Sequence, residues 1–254
     1  MRFDVITLFP DLIRPWLTQG VTRRAFAADG PMPIHVWNLR DFAQGNYRRV
    51  DDRPFGGGPG MVLQAEPLAA AVQAAQQARR HAALPVAPVV CFSPVGQRLN
   101  QAVVDHWAAG VGAVLVCGRY EGIDQRFIDQ MVDAQISLGD FVLSGGELAA
   151  LALLDAVARG VPGVLGGADS ARQDSFHSSQ DGLLDCPHYT RPEVWHGPKG
   201  AQGVPEVLLG GDHQAIARFR REQRLAVTQR WRPDLLEPPS PALPSAAPRP
   251  QDND

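Results

Sequence analysis

The stretch ISLGDFVLSGGELAALALLDAVARG, residues 136–160, decides how the fold is interpreted. It begins with an apolar strand pattern, continues through a glycine-rich turn and ends in a pattern typical of a helix. A strand, a glycine turn and a helix in this order often hold a nucleotide, but neither G-x-G-x-x-G nor a Walker lysine motif is present. Because Asp140 and Glu147 would repel a polyphosphate, the sequence favours another kind of ligand for this turn.

Strands and helices alternate along the chain before this stretch. Most of the strand patterns are continuously apolar, which is typical of strands covered on both faces. We therefore predict an α/β fold with a mostly parallel sheet and helices on both faces. The patterns place strands at 3–9, 34–39, 87–93 and 112–118, and helices at 67–81, 147–160 and 213–231.

Composition narrows the class of protein. The chain has 254 residues, 44% of them hydrophobic, and a formal net charge of −3, so a nucleic-acid face must be local. We interpret Cys91 and Cys117, which end apolar runs, as buried free thiols rather than part of a disulfide framework. Cys186 and His188 lack a second pair at zinc spacing, so we predict no metal site from the residues. No signal peptide or membrane span is recognisable, and we expect a soluble, cytoplasmic protein.

The amino-acid composition of the chain changes after Gly160. We expect one domain over 1–165, a linker over 166–185 and a small helical C-terminal domain over 186–236. Residues 237–254 contain six prolines and no apolar pattern, so we expect a disordered tail.

Three loops follow predicted core strands, namely CFSPVGQ at 91–97, CGRYEG at 117–122 and SLGDFVLSGG at 137–146. Ligands bind at the carboxyl ends of strands in open parallel sheets, so these loops predict a pocket at one sheet edge. The alternative is that they are ordinary strand–helix turns, in which glycine is common.

Two basic segments suit a nucleic acid. The loop DDRPFGGGPG at 51–60, with Arg48, Arg49 and Arg53 at its start, has flexible backbone N–H groups that could cradle a phosphate or approach a base, unless it is only a solvated loop. The helix near 213–232 carries six arginines against one glutamate, which suits a phosphate backbone. A solvated charged face is the ordinary alternative. We interpret Phe219 and Trp231 of this helix as core residues.

The polar stretch QDSFHSSQDGLLDCPHYTRPEVW, residues 173–195, contains several side chains that could act as a general base. Acids of a linker are ordinarily just solvated, so composition alone assigns the role to none of them. The candidates are Asp174, His177, Asp181, Asp185 and His188.

Several of these strings occur together in one known family. VDDRPFGGGPGM, LVCGRYEGIDQR, LGDFVLSGGE, VPGVLGG and DGLLDCPHYTRPEVW resemble the motifs of the bacterial tRNA (guanine-N1)-methyltransferase family, from about Phe3 to Leu236. That family belongs to the SPOUT superfamily, so the resemblance implies a trefoil knot in the domain 1–165, although true knots are nearly absent from proteins. It also implies methyl transfer from S-adenosylmethionine to N1 of the guanosine 3′ of the anticodon, position 37 of tRNA.

The resemblance explains the glycine turn. A sulfonium carries positive charge and no phosphate, so nearby carboxylates are compatible with S-adenosylmethionine. Close backbone approach within a knot would require glycine at several positions of the turn. The residues implied to bind the cofactor are Phe92, Ser93, Pro94, Gly118, Glu121, Leu138, Gly139, Asp140, Phe141, Val142, Leu143, Gly145 and Gly146.

The resemblance also implies catalytic and substrate residues. Asp174 would be the general base that removes the N1 proton of guanine, and Arg159 would stabilise negative charge on O6. The enzymes of this family are homodimers with shared sites that act on tRNA, not DNA, and they generally depend on Mg²⁺, for which the sequence shows no site. The residues expected to contact tRNA are Arg119, Asp185, Gly58, Pro59, Gly60, Arg220 and Arg224.

The chain departs from the family pattern in places. Phe141 replaces a tyrosine, and HSSQ at 177–180 lengthens the segment after Asp174.

Two alternatives stay open: another SPOUT-type RNA methyltransferase acting on a different base or ribose, and a non-catalytic knotted RNA-binding protein. The presence of Asp174 and of DGLLDCPHYTRPE argues against the first, and Arg159 together with Asp174 argues against the second.

Overall fold

The computed structural model describes residues 1–167 and 171–237. The chain divides into two compact units, with the boundary between Ala168 and Asp169. The predicted tail lies outside the described residues, except for Glu237.

The N-terminal unit contains a five-stranded sheet in which every pairing is parallel. The strands of the whole N-terminal unit are β1 (Phe3–Thr7), β2 (Ile34–Asn38), β3 (Asp51–Asp52), β4 (Val62–Leu63), β5 (Val89–Arg98), β6 (Val114–Val116) and β7 (Ala134–Ser137). The order in the sheet is β2-β1-β6-β5-β7, while β3 and β4 form a separate antiparallel pair. The helices are α1 (Pro10–Ile13), α2 (Arg23–Phe26), α3 (Ala65–His81), α4 (Gln101–Ala108), α5 (Gln125–Met131) and α6 (Glu147–Gly160). Two 3₁₀ helices span Trp16–Thr18 and Leu39–Phe42.

Two hydrophobic clusters cover the two faces of this sheet. Successive residues of a strand point to opposite faces, and accordingly Leu115 of β6 belongs to one cluster while Val114 and Val116 belong to the other. The first cluster contains buried residues of α4 and α6, and the second contains those of α3 and α5. The predicted parallel sheet with helices on both faces is confirmed.

Strand β5 is longer than the sequence predicted. Phe92 pairs with Ile136 of β7, and after an interruption Gln97 pairs with the same residue. A Cβ at Gly96 would lie 2.5 Å from the backbone of Gln135, so glycine is needed where the chain returns to β7. Residues 93–96 therefore leave the sheet as a bulge and become available to a ligand.

The C-terminal unit is built on one long helix, α7 (His213–Trp231), at the predicted bounds. A hairpin of β8 (Val194–Gly197) and β9 (Gly200–Gly203), absent from the prediction, precedes it. Residues 171–185, within the predicted linker, contact α7: Leu184 N–H donates a 3.0 Å hydrogen bond to Thr228 Oγ1. Trp231 is 65% exposed, so its interpretation as a core residue is wrong. The 3₁₀ helices of this unit span Ala171–Gln173, Ser178–Gln180, Glu206–Leu208 and Pro233–Leu236.

Candidate active site

The chain between β7 and α6 crosses the carboxyl edge of the sheet. Strand β7 lies at one end of the sheet, next to β5. Further along, Gly146 N–H donates a 3.0 Å hydrogen bond to the carbonyl of Gly118, which follows β6. Thr7, at the end of β1, donates a 2.7 Å hydrogen bond to Glu147. Residues 138–147 therefore extend from β7 past β5 and β6 to β1.

Glycine is required at two positions of this segment. A Cβ on Gly146 would lie 2.9 Å from Cys117 Cα, closer than real Cβ atoms approach. Gly139 has a φ of +154°, which side-chain-bearing residues rarely adopt, and a Cβ there would meet the Phe141 ring at 3.1 Å. At Gly146 the close backbone approach that the sequence predicted is present.

A cavity of about 460 Å³ lies along this edge, which is within the usual range for small-molecule sites. Its walls come from the loops that follow β5, β6 and β7, so the predicted pocket at the sheet edge is present. Every residue that the resemblance assigns to the cofactor, except Asp140, lines it. They are Phe92, Ser93, Pro94, Gly118, Glu121, Leu138, Gly139, Phe141, Val142, Leu143, Gly145 and Gly146.

The two carboxylates expected near the cofactor have different surroundings. Asp140 does not line the cavity; its side chain is 88% exposed and accepts hydrogen bonds of 2.7 and 2.8 Å from Arg98. Glu121 does line the cavity, and a Cβ on Gly60 would lie 2.5 Å from its side chain. Of the two carboxylates, Glu121 is the one that can face a positively charged ligand in this cavity. Gly60 thus lies close to the cavity wall, and Gly58 and Pro59, which are also exposed, precede it in the same loop.

Lining residues that the sequence did not assign to a site include Val95, Tyr120, Gln135 and Ser144. Three of them are direct neighbours of predicted residues, so sequence adjacency to a glycine turn was the available signal. Gln135 lies within β7, and only the pairing of β7 with β5 brings it to the cavity.

The two predicted catalytic residues lie in different units of the chain. Arg159 is in the last turn of α6 and is partly buried. Asp174 follows the 3₁₀ helix Ala171–Gln173 and is also partly buried. Its backbone N–H donates a 3.4 Å hydrogen bond to the carbonyl of Ala171.

Asp185 is the centre of a polar cluster that includes Arg224 of α7. Arg224 Nε donates to its Oδ1 at 3.2 Å, and His188 Nε2 lies 2.9 Å from its Oδ2. Burial alone would raise the pKa of Asp185, but hydrogen bonds from Cys186 N–H, His188 and Arg224 outweigh burial and lower it. Arg224 also donates to Gln180. Arg224 and Asp185 therefore bind each other within the C-terminal unit.

A second cavity of about 750 Å³ lies within the C-terminal unit. Arg220 of α7 and Arg191 line it, over an apolar floor that includes Leu208 and Phe219. Glu193 is the one acidic residue in its lining. The cavity therefore carries a small positive excess, which favours an anionic partner.

The buried thiols are not candidate nucleophiles. Burial raises the pKa of Cys91 from 9.0 to about 11 and raises that of Cys117 well above the same value. All three cysteines are free and buried, as predicted for Cys91 and Cys117. Within residues 1–167 and 171–237, no three His, Cys, Asp or Glu side chains are grouped to hold a metal. No helix in the same ranges is both long and apolar enough to cross a membrane.

The fold and the cavity define an α/β protein with a cavity of small-molecule size at the carboxyl edge of a parallel sheet. The model of the family described as tRNA (Guanine-1)-methyltransferase TrmD matches residues 1–238. The chain belongs to this family.

Its relatives share most of their length with it. A tRNA (guanine-N(1)-)-methyltransferase of Paracidovorax citrulli is 64% identical over 237 residues, covering 93% of this chain and 91% of the relative. Proteins with the same name from Albidiferax ferrireducens and Cupriavidus necator are 63% and 56% identical, each over 93% of this chain, with 92% and 88% of the relatives covered.

Proposed function

We propose that this chain transfers a methyl group from S-adenosylmethionine to N1 of a guanosine in tRNA, the one 3′ of the anticodon at position 37. One observation carries the proposal: all but one of the residues assigned to the cofactor by family resemblance line a single cavity at the sheet edge. The family and the names of its members support the same reaction.

The residues of the cavity fit S-adenosylmethionine. Phe92, Leu138 and Leu143 offer apolar contacts to a flat base, and the glycine-rich backbone of residues 138–146 runs along the cavity wall. The carboxylate of Glu121 complements the positive charge of a sulfonium. When bound, S-adenosylmethionine supplies an electrophilic methyl group. No step of this proposal uses a metal ion, although the family resemblance implies a dependence on Mg²⁺.

Asp174 and Arg159 are proposed to act on the guanine. At neutral pH guanine N1 carries a proton, so its lone pair becomes available only when a base accepts that proton. We assign this role to the carboxylate of Asp174, while the guanidinium of Arg159 stabilises the negative charge that moves to O6. Holding N1 in line with the methyl group supplies much of the remaining rate.

The finer architecture of the site follows the family. We propose that the segment 138–147 is part of a trefoil knot, and that two chains form a homodimer in which both contribute to each site. We place the enzyme in the cytoplasm, with tRNA as its partner.

The tRNA face is proposed to include Arg220 and the loop residues Gly58, Pro59 and Gly60. Arg220 is exposed and lines the positively charged cavity of the C-terminal unit, so its charge is available to a phosphate. Arg224 and Asp185 are bound to each other, and we propose that they support this face by holding residues 180–185 on α7.

One assay tests the function. Purified protein is incubated with labelled S-adenosylmethionine and total tRNA, and the methylated nucleoside is identified after digestion. The proposal expects 1-methylguanosine. A different methylated nucleoside would support another RNA methyltransferase on this fold, and tRNA binding without methyl transfer would support a non-catalytic RNA-binding protein.

A further inference from the structure

Arg119, which the family resemblance places on the tRNA side, directs its side chain towards its own chain. Its Nη1 donates a 3.2 Å hydrogen bond to the carbonyl of Ser144, and its Nε donates one of 3.2 Å to Glu147 Oε1. Its guanidinium lies 4.5 Å from the centre of the Phe9 ring. Only 17% of the side chain is exposed, so little of it is left for a nucleic acid.

Glu147 is the anchor of this arrangement. Its side chain is 2% exposed, and a buried carboxylate is costly unless it is paired. Oε1 accepts from Thr7 and from Arg119. Oε2 lies 2.9 Å from Arg119 Nη2, close enough for an ion pair although not aligned as a hydrogen bond. The charge of Glu147 is therefore neutralised by Arg119.

The same contacts fix the segment that lines the cavity. Arg119 and Gly145 form an antiparallel bridge, and a Cβ on Gly145 would lie 2.3 Å from Arg119 Nε. Gly145 is thus the residue that lets the guanidinium lie across the segment. Ser144 is held by its carbonyl and Glu147 by its side chain, so the end of the cofactor segment is tied on both sides of Gly145.

We infer that Arg119 and Glu147 are positioning residues for the methyl donor, which together hold residues 138–146 in the shape that binds it. The inference rests on the proposed function only for the identity of that ligand. It gives Arg119 a task in cofactor binding instead of direct contact with tRNA.

The test compares Glu147→Gln and Arg119→Met with a control on the same segment. Arg98→Met removes the exposed ion pair with Asp140, which also ties this segment but is open to solvent. Affinity for S-adenosylmethionine is measured by calorimetry, tRNA affinity by filter binding, and folding by thermal unfolding. Since hydrogen bonds to charged groups are involved, we expect each variant of the pair to bind S-adenosylmethionine at least about ten-fold more weakly. The control is expected to change by no more than about two-fold.

The two residues act as one unit in this inference. The double variant Glu147→Gln with Arg119→Met is therefore expected to be no worse than the weaker-binding single variant. Methyl transfer at saturating S-adenosylmethionine and tRNA affinity are expected to stay near wild type, so KM rises while kcat is kept. Additive losses, or a loss of tRNA affinity with normal cofactor affinity, would overturn the inference.

A second variant and a ligand-free measurement separate this inference from folding defects and from the proposed function. Arg119→Lys keeps a positive charge beside Glu147 but lacks the planar fork that also reaches Ser144, so it is expected to fold and still bind S-adenosylmethionine less tightly. Hydrogen exchange without ligand is expected to show faster exchange of amides 139–146 in Glu147→Gln than in Arg98→Met. Equal exchange in those two variants would overturn the inference even if the wild type bound no S-adenosylmethionine.

Discussion

The N-terminal cavity and the C-terminal helix α7 are built from different materials. The cavity is shaped by backbone: a side chain at glycine 139, 145 or 146 would collide with Phe141, Arg119 or Cys117, and the carboxylate of Glu147, which follows this segment, is buried and paired. Helix α7 instead displays exposed arginines at 218, 220 and 221. A site defined by backbone loses its ligand altogether when its shape changes. A charged face instead loses affinity with each charge removed, and the logarithm of its affinity falls linearly with the logarithm of the salt concentration.

The largest expected effect concerns chemistry rather than binding. Asp174→Asn keeps the size of the side chain but cannot accept the N1 proton, and loss of a general base typically costs about 10²- to 10⁴-fold in rate. We expect single-turnover methyl transfer to slow by that factor, with near-normal binding of S-adenosylmethionine and tRNA. Raising the pH should restore part of the rate because hydroxide helps to deprotonate guanine.

Asp181→Asn is the matched control for this variant. Asp181 is exposed, and its φ of +57° is well tolerated by asparagine. The Asp181→Asn enzyme should therefore transfer methyl groups at the wild-type rate. Wild-type rates in Asp174→Asn at neutral pH would refute the assignment of the base. Weak tRNA binding without a chemical defect would instead assign Asp174 to ordering its segment.

The next effect tests whether backbone shape defines the cavity. Gly139→Val adds a side chain at φ +154°, where a Cβ already meets the Phe141 ring at 3.1 Å. We expect calorimetry on the folded variant to detect no binding of S-adenosylmethionine. Gly110→Ala is the control, because a Cβ there would meet nothing closer than 3.5 Å. Normal cofactor affinity in folded Gly139→Val would place the pocket elsewhere.

Sequence predicted the parts of both regions that depend on local pattern. The bounds of α6 and α7 follow from periodicity, and the cavity follows from three glycine loops after core strands. Pairings between distant residues were out of reach. Arg79 looks like a solvated charge on an alanine-rich helix, yet it is fully buried and donates to the carbonyls of Arg2 and Val111. Sequence likewise assigned Arg224 to the tRNA face but gave no sign of its hydrogen bonds to Asp185 and Gln180.

A further prediction uses the burial of the N-terminal core. The Cys91 thiol has a pKa of about 11 in the folded chain, against 9.0 as its ordinary value. A pKa raised by folding contributes stability that is present below pH 9.0 and lost as the pH rises to about 11, because only the unfolded thiol ionises in that window. Each pKa unit corresponds to about 1.4 kcal/mol, so the rise from 9.0 to about 11 makes Cys91 contribute roughly 3 kcal/mol to the alkaline loss. Denaturant unfolding from pH 8 to 11 should show that the free energy of unfolding falls less steeply with pH in Cys91→Ala than in wild type. An equal fall in the two proteins would contradict the burial argument.

Charge on α7 is expected to have a smaller effect. Arg220→Glu should weaken tRNA binding by several-fold and reduce the slope of log affinity against log salt by about one, while leaving S-adenosylmethionine binding unchanged. Arg224→Glu should behave differently, because it places a second carboxylate beside Asp185 and should lower the unfolding temperature. Arg80→Glu, an exposed reversal on α3, controls for net charge. If Arg220→Glu matches Arg80→Glu in tRNA affinity, the arginines of α7 form only a solvated face.

The smallest expected effect is that of removing the tail. Residues 238–254 carry one arginine against two aspartates, so they add no attraction for tRNA. They also contain six prolines and no apolar pattern that could be buried in a core. The family match ends at residue 238, where this segment begins. A chain truncated after Glu237 should keep its oligomeric state by sedimentation and methylate tRNA within about two-fold of wild type. Truncation after Gln229 should do harm, because it removes the last two residues of α7, Arg230 and Trp231, together with Arg232, whose guanidinium lies 5.7 Å from the Phe176 ring. A marked loss of activity on removing residues 238–254 alone would show that catalysis needs this segment, which neither charge nor apolar burial explains.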